Sequence, residues 1–201
     1  NSVESDLGKL REIFTLLKKV TPETDPKLIA LVKELISIIK DAKSEAISRE
    51  SEINKRKVII FSFYADTVKW IENFLTQSIN NFPELNPYKN RLESLFSSRS
   101  GRGTDKASVA ARFAPDTAGK PTDENAIDIL ITTDVLAEGV NLQQARHIIN
   151  YDMPWNPMRL VQRHGRIDRI GSQHSRAFMR TIFPADRLDA LLGLEQRIGN
   201  K

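Results

Sequence analysis

Apolar positions recur at helical spacing through residues 1–50. They predict two amphipathic helices, from Asp6 to Val20 and from Pro26 to about Ala46, with Asp6 placed to cap the first. The apolar arc of the second helix is wide, which predicts packing against more than one neighbour. Its members are Leu28, Ile29, Leu31, Val32, Leu35, Ile36, Ile38 and Ile39. Residues 1–50 are therefore predicted to form a helical extension or linker.

Beyond residue 50 the pattern changes to short apolar runs that alternate with helical patterns. Continuous apolar runs are typical of strands that are covered on both faces of a parallel sheet. The predicted strands are Val58 to Tyr64, Ile127 to Thr132, His147 to Tyr151 and Phe178 to Phe183, with Leu95 and Phe96 as candidates for a further short strand. One predicted helix follows the first strand and is capped by Asp66 or Thr67, and three others span 104–113, 157–168 and 186–198. Residues 51–201 are therefore predicted to form an α/β domain with a mainly parallel sheet and right-handed crossovers.

Two polar stretches interrupt this alternation. Residues 80–90 and 114–126 are rich in Pro, Asn, Asp or Thr, and both are predicted to be exposed loops.

Composition narrows the class of protein. The chain has 201 residues, 40% of them hydrophobic, enough for one domain with a real core. It contains no cysteine, it has a net charge of only +4, and its three histidines lack metal-site spacing, so no metal site made by this chain is predicted. There is no apolar run of about 18 residues and no signal-peptide pattern, which favours a cytoplasmic protein without membrane contact. Because the sequence begins at Asn1 rather than Met, we expect a fragment of a longer chain.

Polar stretches follow three of the predicted strands. Ser62 and Phe63 follow the first, TTDVLAEGVN (132–141) follows the second, and YDMPWNP (151–157) follows the third. Ligands of parallel sheets bind beyond the carboxyl ends of the strands, so these stretches are candidates for a site. Asn156 and Pro157 suit the N-cap and first position of the helix that comes next.

That helix carries an arginine stripe. Arg159, Arg163 and Arg166 lie within about 60° of one another around a helix axis, with Arg169 one turn further on. Like charges at this spacing destabilise an isolated helix, which predicts one or more anionic partners; the alternative is a solvated basic face. Gly165 within the stripe indicates either the close approach of another group or tight packing on a neighbour.

A nucleotide cradle is missing from the sequence. No G-x-x-x-x-G-K-[ST] loop joins a strand to a helix, and no strand ends in Asp-Glu suited to hold Mg²⁺. The chain thus combines several anion ligands with no phosphate loop of its own.

Several motifs together resemble those of a known family. TTDVLAEGVN, DMPWNP and QRHGRIDRIG resemble motifs V, Va and VI of superfamily 2 helicases, and VIIFSFYADTVKWIENFL resembles motif IV. The likeness is greatest to Swi/Snf-type ATPases of the bacterial branch that includes the RNA-polymerase-associated ATPase. It covers roughly residues 26–195, and SRSGRGTDKASVAARF fits the stretch between motifs IV and V.

The resemblance implies a RecA-like three-layer lobe, the second of two that close on ATP. The first lobe would supply the phosphate loop and the carboxylates for Mg²⁺, and it would be a partner within the same parent chain. Arg166 and Arg169 match the motif VI arginines that reach the triphosphate. Gln162, Gly139 and Asn141 are carried over as nucleotide-binding positions, although DEAD-box relatives have an Asp where Asn141 stands.

The resemblance also implies contact with a nucleic-acid backbone. Ser62 and Thr133 match positions that touch the backbone of DNA or RNA. Ser62 could instead bond its own backbone, Trp155 could stack on a base or fill a core, and Asp134 is predicted to be a local cap or turn residue. The expected function is the second lobe of an ATP-dependent helicase or translocase, inactive alone. One alternative is a nucleic-acid or protein-binding module that has lost ATPase coupling. Another is a nucleotide-binding regulatory domain, but this sequence lacks the glycine fingerprint of that class.

Overall fold

A five-stranded parallel sheet organises the computed structural model of the chain. The structure describes residues 2–96, 106–116, 119, 125–134, 142–154, 156–168 and 172–183. The α-helices are α1 (Ser2–Leu17), α2 (Pro26–Glu45), α3 (Arg49–Lys55), α4 (Ala65–Asn81), α5 (Lys106–Phe113) and α6 (Met158–His164). The strands are β1 (Val58–Phe61), β2 (Leu92–Leu95), β3 (Ile129–Thr132), β4 (His147–Asn150) and β5 (Phe178–Thr181). Two 3₁₀ segments cover Pro22–Thr24 and Pro83–Tyr88.

The strand order is β2-β3-β1-β4-β5, and every neighbouring pair is parallel. β1, β3 and β4 are buried along their whole length, which explains why their sequences are apolar without alternation. The predicted α/β class with a mainly parallel sheet is confirmed, and the short strand expected near Leu95 is β2. β1 is shorter than predicted: after Ser62 the chain leaves the sheet, and Phe63 and Tyr64 are exposed by 49% and 61%.

Helices cover both faces of the sheet and form two apolar clusters. Val58 and Ile60 of β1 point into a cluster built with α2 and α4. Ile59 and Phe61 point into the opposite cluster, which includes Phe113 of α5. The alternation of side chains along β1 therefore connects the two halves of a three-layer domain.

α2 is part of the main core. Leu28, Leu31, Leu35 and Ile38 are all 0% exposed and contact strand residues in the same cluster, as the wide apolar arc predicted. The division of the chain at residue 50 stays a prediction, and in the structure the core extends across it.

α1 differs from α2 in its surroundings. It begins at Ser2, so the predicted cap at Asp6 is wrong. All of its residues from Val3 to Leu17 are exposed. Its apolar stripe is exposed by 45% at Leu7, 64% at Leu10 and 60% at Leu17. The stripe is therefore uncovered within the described part of the chain.

Most residues of the predicted exposed loop at 80–90 are exposed, but the segment is not a loop. α4 continues to Asn81, and the 3₁₀ segment Pro83–Tyr88 buries Leu85 and Tyr88 completely. The Tyr88 hydroxyl donates to the carbonyl oxygen of Arg56 at 2.9 Å. Proline and asparagine here mark tight turns of a packed segment, which composition cannot distinguish from a solvated loop.

Three further predictions concern helix limits and loops. α4 begins at Ala65, after Tyr64, with no side-chain cap, so the predicted cap at Asp66 or Thr67 is wrong. The predicted helix at 186–198 and much of the loop at 114–126 lie outside the described residues. Within the described residues no helix has the length and apolar character needed to cross a bilayer.

A buried charge cluster holds the amino edge of the sheet. Asp128 is 0% exposed and accepts hydrogen bonds from Arg56 at 2.8 Å and from Lys57 and Arg91 at 3.4 Å each. Burial lowers the pKa of Lys57, and the charge of Asp128 opposes that change. The cluster joins the residues before β1, β2 and β3 at the end of the sheet opposite to the predicted site.

Candidate functional site

The carboxyl ends of β1, β3 and β4 meet at one edge of the sheet. Phe61 pairs with Thr132 and with Asn150, so the next residues of each strand leave the sheet side by side. This register brings together the three polar stretches that follow the strands, as predicted.

Asp152 joins two of these stretches. Its Oδ2 accepts a 2.5 Å hydrogen bond from the Ser62 hydroxyl and a 3.3 Å bond from the Phe63 amide. Its Oδ1 accepts a 3.3 Å bond from the ammonium of Lys27, at the start of α2. Ser62 is 0% exposed, so its hydroxyl is used inside the fold, bonding a carboxylate.

Two arginines of the stripe share one carboxylate. The guanidinium of Arg163 donates to Asp134 at 2.6 and 2.9 Å and to the side-chain oxygen of Asn150 at 2.6 Å. Arg159 donates to the same Asp134 at 3.1 Å. Arg163 is 2% exposed and lies 4.9 Å from the ring centroid of Phe61. The prediction of an anionic partner is confirmed for these two residues. Asp134 thus has partners far along the chain as well, and its predicted local cap or turn role stays a prediction, because the residues directly after it lie outside the described ranges.

The ionisation of Asp134 follows from these contacts. Burial alone would raise the pKa of Asp134, but hydrogen bonds and charge from Arg163 and Arg159 outweigh it and lower the pKa below its ordinary value. The carboxylate is therefore held in the charged form, as its position between two guanidinium groups requires.

The start of α6 agrees with its sequence. The side-chain oxygen of Asn156 accepts a 3.0 Å hydrogen bond from the Met158 amide, and Pro157 has helical φ and ψ angles of −61° and −24°. Asn156 thus satisfies a free amide of the first turn, as predicted. The helix ends at His164, earlier than predicted, and the chain continues through turns closed by the amides of Arg166 and Ile167.

Gly165 is the residue after α6, so the prediction that it lies inside a helix is wrong. A Cβ atom there would lie 3.4 Å from the Val161 carbonyl oxygen and 3.7 Å from that of Gln162. These atoms belong to the preceding turn of α6. Within the described residues, neither the close approach of another group nor tight packing on a neighbouring element therefore explains the glycine.

Gln162 and Arg166 have a different environment from Arg163. Gln162 is exposed and Arg166 is partly exposed. Among the hydrogen bonds and ion pairs of the described residues, none uses the Arg166 guanidinium. Arg163 is thus built into the domain, whereas Arg166 follows one turn later at its surface.

The remaining predicted positions divide into two groups. Thr133 is described, is partly exposed and lies directly after β3, where its carbonyl oxygen accepts a 3.2 Å bond from the Thr132 hydroxyl. Arg169, Gly139, Asn141 and Trp155 lie outside the described residues.

Sequence reasoning missed an apolar surface beside the arginines. Phe63 and Tyr64 form an edge-to-face pair with centroids 5.0 Å apart, and the Arg159 guanidinium lies 5.4 Å from the Phe63 centroid. On α6, Met158 and Val161 are exposed by 57% and 61%. The only signal in the sequence is the pair of aromatic residues directly after a buried strand.

His147 lies away from this edge and serves the fold. The His147 ring stacks on Phe178, its Nε2 is 2.9 Å from the Lys55 carbonyl oxygen, and its Nδ1 is 2.7 Å from the guanidinium of Arg180. Burial is the main cause that lowers the pKa of His147 to about 3, so the ring is neutral. No group of three or more His, Cys, Asp or Glu side chains in the described ranges is arranged to hold a metal.

A cavity of about 440 Å³ lies at the opposite, amino edge of the sheet. Among its lining side chains, Asn54 donates to Gln173 at 3.1 Å and accepts from Gln144 at 2.8 Å. Lys55 pairs with Glu45 at 3.6 Å. These polar groups satisfy one another, so the carboxyl edge is the better candidate site.

Comparisons with known proteins identify the family to which the sequence is similar. The model of a family described as the helicase conserved C-terminal domain matches residues 40–171. The uncharacterized ATP-dependent helicase YqhH of Bacillus subtilis (strain 168) is 31% identical over 170 residues, which cover 80% of this chain and 26% of the relative. The chain thus spans about a quarter of the length of that relative.

Two further matches are more limited. The RNA polymerase-associated protein RapA of Serratia proteamaculans (strain 568) is 42% identical over 53 residues, 26% of this chain and 6% of RapA. A crystal structure of the C-terminal part of the Fun30 ATPase domain has a TM-score of 0.55 and 20% identity, covering 86% of this chain and 45% of that one. The second match supports the fold alone.

Proposed function

Because the chain belongs to the helicase conserved C-terminal domain family, we propose that it is the second ATPase lobe of a Swi/Snf-type helicase or translocase. In this proposal Arg166 and Arg169 are arginine fingers that reach a triphosphate held by a first lobe. Thr133 and the Ser62 segment contact the backbone of DNA or RNA. The chain alone does not turn over ATP.

One observation supports the proposal most directly: within the arginine stripe, Arg163 is buried and bonded inside the domain, whereas Arg166 is partly exposed. Arg163 is buried against Asp134 and Asn150, which anchors α6 to the ends of β3 and β4. Arg166 follows this anchor, and its guanidinium has no ion pair within the described residues. Arg166 is thus a partly exposed cation next to an anchored helix, and such a cation can bind an anion that comes from outside the domain.

The chemistry agrees with this division. Phosphoryl transfer spreads negative charge over the γ-phosphate oxygens, and a planar guanidinium can meet two of them at once. The exposed Gln162 amide offers both a donor and an acceptor to neutral polar groups of a nucleotide. The Thr133 hydroxyl suits contact with a phosphate without base reading.

ATP with Mg²⁺ is the expected nucleotide. When it is bound, the metal neutralises charge on the β- and γ-phosphate oxygens. The described residues of this chain offer guanidinium groups, which fit the phosphates, whereas the proposal assigns the metal carboxylates to the first lobe.

The proposal is tested by steady-state ATPase measurements on the complete two-lobed protein with saturating nucleic acid. We expect Arg166→Ala and Arg169→Ala to lower turnover by about 10³- to 10⁵-fold, and lysine at either position to restore little, because it lacks the planar fork. Arg159→Gln is the matched control, since Arg159 is half exposed and bound to Asp134, and its loss should be much smaller.

Comparable, mild losses at all three positions would refute the arginine-finger role. If the unmodified protein binds nucleic acid and hydrolyses no ATP, the alternative of a binding module without ATPase coupling is favoured. Arg163 is unsuitable as a control because it is buried, and its replacement would also disturb the fold.

A further inference from the structure

The first turn of α2 lies at the same carboxyl edge as the candidate site. Asp25 and Lys27 precede residue 40, where the match to the family begins, so the match assigns them no role. Each contacts the segment that follows β4. The extension therefore reaches the edge where Ser62 and Thr133 lie.

Lys27 makes two contacts there. Its ammonium lies 3.3 Å from Asp152 Oδ1 and 4.3 Å from the ring centroid of Tyr151. The same carboxylate uses Oδ2 to hold the Ser62 hydroxyl and the Phe63 amide. Within the described residues, Lys27 is thus the cation paired with Asp152, the carboxylate that bonds the residues after β1.

Asp25 fixes the backbone from which Lys27 extends. Its Oδ1 accepts a 2.8 Å bond from the Lys27 amide, and its Oδ2 accepts bonds from Trp70 at 3.2 Å and from the Tyr151 hydroxyl at 3.3 Å. The start of α2 is therefore attached to α4 and to the end of β4, and the Lys27 side chain needs only to span the short distance to Asp152.

The contact between Lys27 and Asp152 changes the net charge at this edge. Asp152 is a carboxylate, its side chain is 25% exposed, and it lies where the proposed function brings a phosphate backbone. An uncompensated carboxylate would repel a phosphate at this position. Lys27 cancels that charge while leaving both oxygens of Asp152 hydrogen bonded.

We infer that Lys27 is a positioning residue of the nucleic-acid edge, which neutralises Asp152 and keeps it on the Ser62 hydroxyl and the Phe63 amide. The inference rests on the proposed function for its nucleic-acid consequence. Its structural part is that the ion pair of Lys27 with Asp152 keeps the hydrogen bond between Asp152 and the Phe63 amide. This part does not depend on ATP or nucleic acid.

The structural part is tested by amide exchange and ¹H–¹⁵N NMR spectra of the chain. Lys27→Met removes the charge and keeps the apolar stem, and Lys27→Gln is a second variant that keeps a donor. Lys33→Met is the matched control on the exposed side of the same helix. We expect the Phe63 amide peak to move and its exchange to accelerate by at least about 3-fold in Lys27→Met, with no change in Lys33→Met and recovery in Lys27→Arg. A Phe63 amide that behaves alike in Lys27→Met and Lys33→Met would overturn the inference.

The functional part is tested by fluorescence anisotropy with a labelled 30-nucleotide probe, single-stranded and duplex, at about 50 mM salt. We expect Lys27→Met to raise the Kd by about 2- to 5-fold, and Lys27→Arg to restore it, because the effect is that of one partly exposed charge. Equal affinities in Lys27→Met and Lys33→Met would refute this part. If the unmodified chain binds neither probe, the nucleic-acid part of the proposed function fails, while the amide measurement still decides the role of Lys27.

Discussion

Arg163 and Arg166 are the same residue type three positions apart, and their surroundings give them different roles. Arg163 has three hydrogen bonds to Asp134 and Asn150, an aromatic neighbour and almost no exposure. Arg166 lies beyond the end of α6 and is partly exposed. Arg163 uses three of its five N–H donors inside the fold and is almost completely buried, so it is not available to an external phosphate. The hydrogen bonds and burial of Arg163 therefore distinguish it from Arg166, the candidate arginine finger.

Asp134→Asn tests the anchor. The substitution keeps the shape and removes the counter-charge of a buried guanidinium, so we expect the free energy of unfolding to fall by about 2 to 4 kcal/mol in urea titrations. Asp168→Asn, at a side chain that is 63% exposed and 3.6 Å from His164, should change it by less than about 0.5 kcal/mol. Equal effects at both positions would mean that the Asp134 pair contributes no more than a surface pair.

His147 gives a pH dependence whose sign follows from its burial. Its pKa is lowered from 6.5 to about 3. Between these values the unfolded chain binds a proton that the folded chain does not, so stability falls as pH falls. From pH 7 to pH 5 we expect a loss of about 2 kcal/mol from this residue. Urea titrations of the unmodified chain and of His147→Gln should show a smaller loss in the variant, where His174, whose pKa is also lowered mainly by burial, still contributes. The same pH dependence in both proteins would contradict the assignment.

At the scale of elements, α1 and α2 show how similar patterns lead to different energetics. Both helices have apolar residues at spacings of three and four. α2 buries its apolar face in the core, whereas α1 leaves its own exposed. Because an isolated helix of this length is marginally stable in water, the described contacts stabilise α1 far less than they stabilise α2.

A matched pair of substitutions measures this difference. Leu31 is 0% exposed and Leu10 is 64% exposed. Leu31→Ala should lower the free energy of unfolding by about 2 to 5 kcal/mol, and Leu10→Ala by less than about 0.5 kcal/mol. The measurement is urea unfolding at two protein concentrations. A large loss in Leu10→Ala would show that the α1 stripe is covered in solution, and a dependence on concentration would indicate a second copy as the cover.

For the molecule as a whole, membership of the helicase C-terminal domain family confirms the resemblance of its motifs to those of superfamily 2 helicases. The parallel sheet confirms the fold class. The edge where Thr133, Asp134 and Asp152 lie also holds the cations of Lys27, Arg159 and Arg163, and the sequence has no phosphate loop. The proposed function makes this edge one half of a nucleotide site that a first lobe completes.

The chain by itself is therefore expected to hydrolyse ATP no faster than buffer. The reason is that it lacks the phosphate loop that orients the triphosphate for transfer. The measurement is phosphate release by the pure chain with Mg²⁺ and nucleic acid. Turnover that depends on Mg²⁺ and disappears in Arg166→Ala of the chain alone would contradict the two-lobe proposal, and a contaminating ATPase would be unaffected by that substitution.

Local patterns in the sequence were sufficient for the buried strands and for the edge at which the polar stretches meet. A strand covered on both faces has to be apolar at every position, so β1, β3 and β4 can be recognised from runs such as Val58 to Phe61. The cap at Asn156 and the order of polar stretches after the strands are likewise local features. Parallel pairing then places those stretches at one edge, whatever the details of packing.

Only the tertiary structure decided which partner each polar residue has. Asp134 and Arg163 are 29 positions apart, and Lys27 and Asp152 are 125 apart. No spacing in the sequence reports such pairs, because they form only after strands and helices have packed. For the same reason the burial of Leu85 and Tyr88 in a proline-rich segment, and the exposure of the α1 stripe, could not be predicted. The sequence determines which groups can bind an anion, and the packing of α6 and α2 on the sheet determines which of them are left to do so.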